Sequence, residues 1–586
     1  MLKIFKYIEK HEWGFIAISL GLIIIQVWLD LKLPDYMSNI TTLVQTEGST
    51  VSDIVFEGGW MLLCALGSLV SSCIVGYFAA KVAAGLAKRL RGEVYDKTLS
   101  FSMEEMNDFS TSSLINRTTN DITQVQQLVA MGLQSIIKAP ILAVWAILKI
   151  AGKSWQWTAT TAGAVVVLLV MLSVIIIFVI PKFKIIQQLT DNLNQVTREN
   201  LTGLRVVRAY NAEDYQEDKF EEANDELTNT NLFTNRMMSI MQPGMSLIMS
   251  GLSLVIYWLG AYLINEAAMI DKISLFSDMI VFSSYAVQVI MAFMLLTMIF
   301  IMLPRASVSA GRILEVIERE TNIKDGTYDL ETSAVSGELE FKNVSFKYPG
   351  ASDYVLHNVN FKVESGETVA FIGATGSGKS TLINLIPRFY DVSEGEVLVD
   401  GINVKEYKLE TLHSKIGYVS QKATIFSGTV ESNVDYGENS KDDSIDEVGK
   451  AIEIAQAEEF VDSLDGGYQA QIAQSGANLS GGQKQRLSIA RAVYRDPEIY
   501  IFDDSFSALD YKTDRDLRKA LNDEGSGATS IVVAQRIGTI KDADKIIVLD
   551  DGEVVGIGKH RELLRTCEVY QEIASSQLSQ EELSYA

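Results

Sequence analysis

The sequence predicts a two-part protein. A six-helix α-helical transmembrane domain with long cytoplasmic helical extensions is followed by an α/β domain built on a phosphate-binding P-loop. Three observations carry this. Six apolar stretches in the first half are each near the ~20 residues that a helix needs to span a bilayer. Two long polar stretches between them lack the Pro/Gly punctuation of loops. In the second half an apolar run, Val369 to Ile372, leads into a glycine-rich turn and a helical pattern, the order of a strand, a phosphate cradle and a helix.

Composition supports the division. Of 586 residues, 48% are hydrophobic and the mean hydropathy is +0.15, high for a soluble protein. The net charge of −24 argues against a nucleic-acid binder, whose footprint would be basic. The three cysteines, Cys64, Cys73 and Cys567, suggest neither a disulfide framework nor a zinc cluster. No cleavable signal peptide is expected. Lys3 to Lys10, with Phe5, Tyr7 and Ile8 interleaved, reads as an amphipathic helix lying on a membrane surface.

The spans are placed at about 14–34, 58–80, 132–152, 158–180, 244–264 and 278–303, inside a transmembrane domain of residues 1–311. Loop charge sets the orientation. Pro34 to Trp60 holds no Lys or Arg. Lys81, Lys88, Arg89, Arg91, Lys97 and Arg117 lie between spans two and three. Lys182, Lys184, Arg198, Arg205, Arg208, Lys219 and Arg236 lie between spans four and five. Both long segments and both termini are therefore expected in the cytoplasm, with Lys149 and Lys153 mildly against the trend. Leu86 to Val129 and Phe183 to Met237 read as rods continuing the membrane helices, each joined at a tip that could dock on another domain. No charge is expected at mid-bilayer, since Glu57 and Asp278 fall near the outer ends.

Methionines recur at i, i+3, i+7 and i+11 on two spans, as Met238, Met241, Met245, Met249 and as Met291, Met294, Met298, Met302. Gln288 lies beside the second set. Met is unbranched and polarizable, and surfaces rich in it repack around varied ligands. Met238, Met241, Met245, Met249, Gln288, Met291, Met294 and Met298 are thus candidates for a cavity taking hydrophobic small molecules; helix packing or lipid contact is the alternative.

After Pro304 the hydropathy drops, and residues 312–336 read as a linker to a nucleotide-binding domain at 337–575, with a polar tail at 576–586. Strand-like runs appear at Leu339 to Phe341, Val344 to Lys347 and Phe361 to Val363. Gly373, Gly378, Lys379 and Ser380 fit G-x-x-x-x-G-K-[ST]. Backbone N–H groups of such a loop close around phosphate oxygens, so Gly373, Thr375, Gly376, Ser377, Gly378, Lys379, Ser380 and Thr381 are nucleotide-binding candidates. Lys379 would neutralise β/γ-phosphate charge, and the Ser380 hydroxyl would ligate Mg²⁺. Ile499 to Asp503 is a buried-strand pattern ending in a carboxylate suited to that magnesium. Leu479-Ser-Gly-Gly-Gln483 opens the helical run Lys484 to Tyr494 and makes a second anion site. One domain seldom needs two γ-phosphate cradles, so the second is expected to serve a nucleotide held by another subunit.

Taken together, Tyr348, Gly373 to Ser380, Gln421, Leu479 to Gln483, Asp503 and Ser507-Ala508-Leu509-Asp510 resemble the motif set of the ATP-binding cassette (ABC) exporter family. Glu199 to Phe220, with Gly203, Val206, Val207 and Glu213, resembles its second cytoplasmic segment. The resemblance implies a half-transporter, ATP and Mg²⁺ as cofactors, and two cassettes closing head to tail around two ATP. Tyr348 would stack on adenine. Gln421, with Ser380 and Asp503, would hold the metal. Leu479, Ser480, Gly481, Gly482 and Gln483 would complete the partner's site, and Ser507 to Asp510 would form the loop between the two sites.

Two positions depart from the family pattern. Asp504 stands where a glutamate general base is usual, and Gln535 where a histidine meets the γ-phosphate. Aspartate is one methylene shorter, and a misplacement of about 1 Å in a reacting group costs on the order of 10²-fold. Glutamine cannot become cationic as histidine does. ATP is expected to bind and hydrolysis there to be slow. The expectation is one subunit of a bacterial heterodimeric multidrug-type exporter in the plasma membrane, beside a second, non-identical half-transporter. A homodimeric lipid or peptide exporter, and an ATP-gated channel or sensor, are the alternatives.

Overall fold

The computed structural model describes residues 2–46, 48–151, 155–268, 272–329, 336–437, 445–524 and 527–578. Two compact units divide the chain: Met1–Leu99 with Thr111–Arg319, and Ser100–Ser110 with Glu320–Ala586.

In the first unit, six helices among the described residues are long and apolar enough to cross a membrane. The first is Lys10–Gln45 and the second Val51–Leu99. The third runs from Thr111 to Ala151 through a π-helical turn at Arg117–Asp121. The fourth is Trp155–Thr202. The fifth joins Glu213–Ser239 to Met241–Glu266, and the sixth is Lys272–Ile317. The second helix, at 49 residues, would be about 74 Å long at 1.5 Å per residue, more than twice a bilayer core. The expected rods are therefore present. A short helix at Leu204–Ala209 follows the fourth.

Trp157, Phe282 and Tyr285 are fully buried at the centre of the helical core, while Leu62, Leu63, Leu66 and Leu69 of the second helix stay exposed. Such an exposed apolar face suits lipid. The sixth helix extends past the expected linker start at 312. Ile313, Leu314 and Val316 are buried, so their apolar face carries the helix on to Ile317.

The amino end differs from expectation. Leu2–Tyr7 is a 3₁₀ helix, with Ile4 and Ile8 buried. Arg89 explains why it is pinned. Its guanidinium donates to the Tyr7 carbonyl (2.7 Å), to Glu9 (3.0 Å) and to Glu12, which is buried. A Cβ at residue 85 would come within 2.2 Å of Glu12 Oε1, so Gly85 keeps that passage open.

Charges along the first helix are paired on other helices. Asp30 pairs with Lys138 at 3.1 Å and accepts from Ser68, across three helices. Asp35 pairs with Lys149 at 2.7 Å and accepts from Tyr285 Oη at 2.6 Å. Each carboxylate meets its cation on another helix, which a linear reading of span hydropathy does not show.

The second unit contains β1 (Leu339–Phe346), β2 (Leu356–Val363), β3 (Thr368–Ile372), β4 (Glu394–Val399), β5 (Ile402–Asn403) and β6 (Ile416–Val419). It continues with β7 (Gly428–Thr429), β8 (Gln471–Ile472), β9 (Ile499–Asp503), β10 (Thr529–Val533), β11 (Lys545–Asp550) and β12 (Glu553–Gly558). One sheet is antiparallel in the order β2-β1-β4-β5. The larger runs β12-β11-β3-β10-β9-β6, parallel except at β12. The runs at 339–341 and 344–347 are one strand. Its pairing shifts between Phe341 and Val344, where Asn343 takes φ +48°. The last helix, Glu568–Gln577, enters the expected tail, and residues 579–586 lie outside the described residues.

Ser100–Ser110 belongs with this unit. Glu105 is fully buried. It accepts from Ser102 N (2.8 Å) and Oγ (2.5 Å) and from Asn322 N (3.0 Å). Burial opposes the carboxylate, but these hydrogen bonds outweigh it and hold Glu105 below the usual range.

Elsewhere buried Lys415, before β6, lies 3.1 Å from Asp400 and 2.7 Å from Glu498. Asp400 also accepts from the N–H groups of Gly337 and Glu338, which lead into β1. Removing one partner of such a buried cluster costs about 3–5 kcal/mol. Lys415→Ala is accordingly expected to lower the melting temperature of this unit sharply, with the transition followed by differential scanning fluorimetry; an unchanged transition would count against the cluster.

Candidate functional site

The site is built at the carboxyl ends of the parallel strands. β3 is buried along Val369 to Ile372, and the loop after it turns through Gly376 (φ +90°) and Gly378 (φ +95°), which L side chains rarely adopt. Gly373 is held for another reason: a Cβ there would meet Leu549 O at 2.1 Å. Leu382, Ile383, Leu385 and Ile386 are fully buried behind the loop, although the helix itself is short, Lys379–Asn384.

Lys379 turns its ammonium back into the loop, donating to Gly373 O (2.9 Å), Ala374 O (2.7 Å) and Ser377 Oγ (3.2 Å). Burial lowers its pKa, against the pull of Asp504 and Asp503. Ser380 Oγ donates to Asp503 Oδ1 at 3.1 Å. A hydroxyl beside a carboxylate is the hard oxygen donor set that suits magnesium. Gln421, exposed just after β6, lies close enough to Asp504 to hold its carboxylate down in pKa.

Tyr348 and Thr381 share a hydrogen bond between hydroxyls at 2.9 Å. The Tyr348 ring stands edge-on to Tyr390, centroids 5.3 Å apart, and lines a cavity of about 260 Å³ with Pro349, Tyr390 and Asn322. Tyr390 Oη in turn accepts from Asn107 Nδ2 at 3.1 Å. Neither Tyr390 nor the docked 100–110 segment was read as part of the site. The Ser102-x-x-Glu105 capping box was the available signal.

The two departures meet each other. Gln535 Nε2 donates to Asp504 Oδ2 at 2.9 Å. Asp504 sits at φ +47°, its N–H bonded to Val533 O and its own carbonyl accepting from Ser507 Oγ. Burial raises the Asp504 pKa, opposed by Gln421, Arg536 and Lys379. Burial also raises that of Asp503, with Ser380 lowering it and Asp504 raising it.

The Leu479–Gln483 turn is a capped helix start. Ser480 N donates to Gln483 Oε1 (2.8 Å) and Ser480 Oγ accepts from Gln483 N (3.4 Å). Leu479 is buried, whereas a Cβ at Gly481 would meet nothing within 4 Å, so that face is open. Gly482 lies against Ala508 O, and Leu509 is buried. Asp510 caps the next helix, accepting from Lys512 N and Thr513 N. Within the membrane unit the methionines divide. Met238 and Met241 line an apolar cavity of about 340 Å³ with Leu172, Val179 and Thr297. Met245 is core, Met249 and Met294 pack on the core, and Met291 is exposed. Gln288 Oε1 is buried without a hydrogen-bond partner, and the Met298 side chain lies outside the described residues.

A phosphate loop behind six membrane-capable helices defines a membrane transport ATPase. Residues 16–293 match the ABC transporter transmembrane region and residues 356–507 the ABC transporter family model. The chain is 38% identical over 574 residues to an uncharacterized ABC transporter ATP-binding protein of Mycobacterium tuberculosis, covering 96% of each. It is 33% identical over 576 residues to the uncharacterized YfiB of Bacillus subtilis, again covering 96% of each. Against an ATP-dependent lipid A-core flippase of Pseudomonas aeruginosa the identity is 32%, over 86% of this chain and 82% of the relative. Its fold is that of a bacterial Atm1-family ABC exporter with ATP bound, with TM-score 0.82 and 22% identity over 97% of this chain and 99% of the other. The chain belongs to the ABC transporter family, as an exporter half-transporter with fused membrane and ATP-binding domains.

The raised carboxylate pKa values have a stability consequence. A carboxylate whose folded pKa lies above its unfolded value costs stability when ionised, and the cost fades as pH falls through the folded pKa. Asp503→Asn is therefore expected to raise the melting temperature at pH 7.5 relative to the parent. The gain should shrink as the pH is lowered toward the ordinary carboxylate range. A gain that is absent, or that does not vary with pH, would contradict the raised value.

Proposed function

We propose that this chain is the subunit of a heterodimeric exporter that holds ATP without hydrolysing it efficiently, and that the exporter moves lipophilic compounds out of a bacterial cell. The observation that carries the reading is the Gln535–Asp504 hydrogen bond at 2.9 Å. A carboxylate engaged by a side-chain amide, one methylene short and fixed at φ +47°, is poorly aimed at a water in line with a γ-phosphate. Lys379 and the loop glycines would cradle the phosphates. Ser380, Asp503 and Gln421 would hold Mg²⁺, which supplies charge neutralisation between the phosphates. Tyr348 would face the adenine. The open turn Leu479 to Gln483 would complete the competent site of a second, non-identical half-transporter, with Ser507 to Asp510 alongside. Both termini and the helical rods would lie in the cytoplasm.

Transport would follow from closure of the cassettes on ATP, carried through the docked tip Ser100–Ser110. Asp504→Asn is expected to change ATP turnover less than about twofold in the assembled transporter. Substituting the corresponding glutamate of the second subunit should reduce turnover on the order of 10²-fold or more. Equal losses, or a particle of two identical chains turning over at full rate, would overturn the reading. Because Asp504 and Gln535 touch, their replacements should couple. D504E and Q535H together should restore hydrolysis at this site by at least about tenfold more than the product of the single effects, a coupling of about 1.4 kcal/mol.

A second reading has a specific observation in its favour, the similarity to proteins named lipid A-core flippases. In it the chain is a lipid exporter of two identical subunits. Movement of a labelled lipid across vesicles by the purified chain alone would favour it over the heterodimer.

A further inference from the structure

The first membrane helix carries a polar stripe in an otherwise apolar core. Its lower rung is Asp30, paired with Lys138 at 3.1 Å and bonded to Ser68. Ser68 lies ten residues inside the apolar run that begins at residue 58. Asp30 and Lys138 likewise lie inside the apolar runs 14–34 and 132–152. The next rung is Asp35 with Lys149 and Tyr285. Beyond it Ser38 and Ser277 exchange a hydrogen bond at 2.7 Å, and Thr42 reaches Ser277 at 3.3 Å.

Charges at this depth are costly against lipid and face either a partner or a water-filled cavity. These pairs are not sealed. The Asp30 and Lys138 side chains each keep 25% of their surface, and Lys149 and Asp35 keep 35% and 30%. Each pair therefore keeps part of its polar surface reachable from beside the helices within this chain. Gln288, one turn from Tyr285 on the sixth helix, has a buried amide oxygen with no hydrogen-bond partner, an acceptor left for a ligand's donor.

We propose that Asp30–Lys138 and Asp35–Lys149 form a subsite for a zwitterionic head group, an ammonium and an anionic oxygen a few ångströms apart on an amphiphile. An ion pair can exchange onto such a ligand without leaving either charge unpaired. The ligand's anion moves to a lysine and its ammonium to the facing aspartate. A ligand of one charge would orphan the opposite partner, and an uncharged one gains nothing. The stripe then offers successive polar stations along one helix while the tail remains among apolar side chains. The inference deepens the transport reading by naming the substrate class, and is independent of the asymmetry of the ATP sites.

The test uses the full transporter in nanodiscs and measures binding by tryptophan fluorescence. Lysophosphatidylethanolamine is compared with a monoacylglycerol of the same chain. A free hydrophobic tripeptide is compared with its acetylated, amidated form, so that the two arms separate a lipid head group from a peptide source. At least one zwitterion is expected to bind tenfold or more tightly than its uncharged counterpart, with the preference falling below about twofold in D30N/K138Q, which orphans no charge. Equal binding in the parent protein, or a preference surviving in D30N/K138Q, overturns the subsite. Should that variant not fold, the parent protein decides. Lys138 should be acetylated by a water-soluble reagent, and the preferred zwitterion should protect it. A Lys138 that is never acetylated, or is acetylated equally with the zwitterion present, also overturns it. Failure to transport apolar compounds alongside a retained zwitterion preference would sink the proposed function and leave this inference standing.

Discussion

The carbonyl of Leu549, at the end of β11, stands where a side chain at residue 373 would begin. Only glycine at 373 lets the chain leave β3 this close to the paired strand β11 before the Lys379 helix starts. The same crowding leaves the loop carbonyls facing inward, where the ammonium of Lys379 gathers them. Asp503 reaches this loop from β9, two strands away, through the Ser380 hydroxyl. The Lys379 loop and the Ser380–Asp503 and Asp504–Gln535 contacts thus gather beside the place where two parallel strands approach at one glycine.

The membrane unit solves a different problem with the same economy. Its helices have no hydrophobic drive to associate within lipid, so packing and interhelical polar contacts must specify their arrangement. The bonds from Asp30 and Asp35 to the second, third and sixth helices do this at two depths. Four prolines, at 34, 140, 181 and 304, are carried inside long helices. In such helices, neighbouring segments can satisfy the backbone carbonyls that a proline frees.

Legibility in the sequence followed the range of the interactions. The six spans, the long rods and the loop around Lys379 were readable, because apolar run length and glycine spacing are local signals. The Asp504 and Gln535 substitutions were also visible, but their contact was not, since 31 residues and a strand separate them. The ion pairs of the first membrane helix were missed for the same reason: Asp30 and Lys138 look like isolated blemishes in two apolar runs until the helices are laid side by side. Methionine spacing misled in the opposite direction. A helical period placed eight side chains on two faces, yet those faces divide: Met238 and Met241 border a cavity while Met245 packs in the core and Met291 is exposed, because period reports a face and not what lies opposite. The linker boundary moved because Ile313 and Val316 continued an apolar face that the charged residues among them obscured.

Arg89 binds the Tyr7 carbonyl, Glu9 and Glu12 from a position late in the second helix. During synthesis the buried Glu12 therefore leaves the ribosome dozens of residues ahead of its counter-ion. The opening segment gains its counter-ion only once the hairpin that carries Arg89 has been made, so it comes to rest after residues synthesised later than itself.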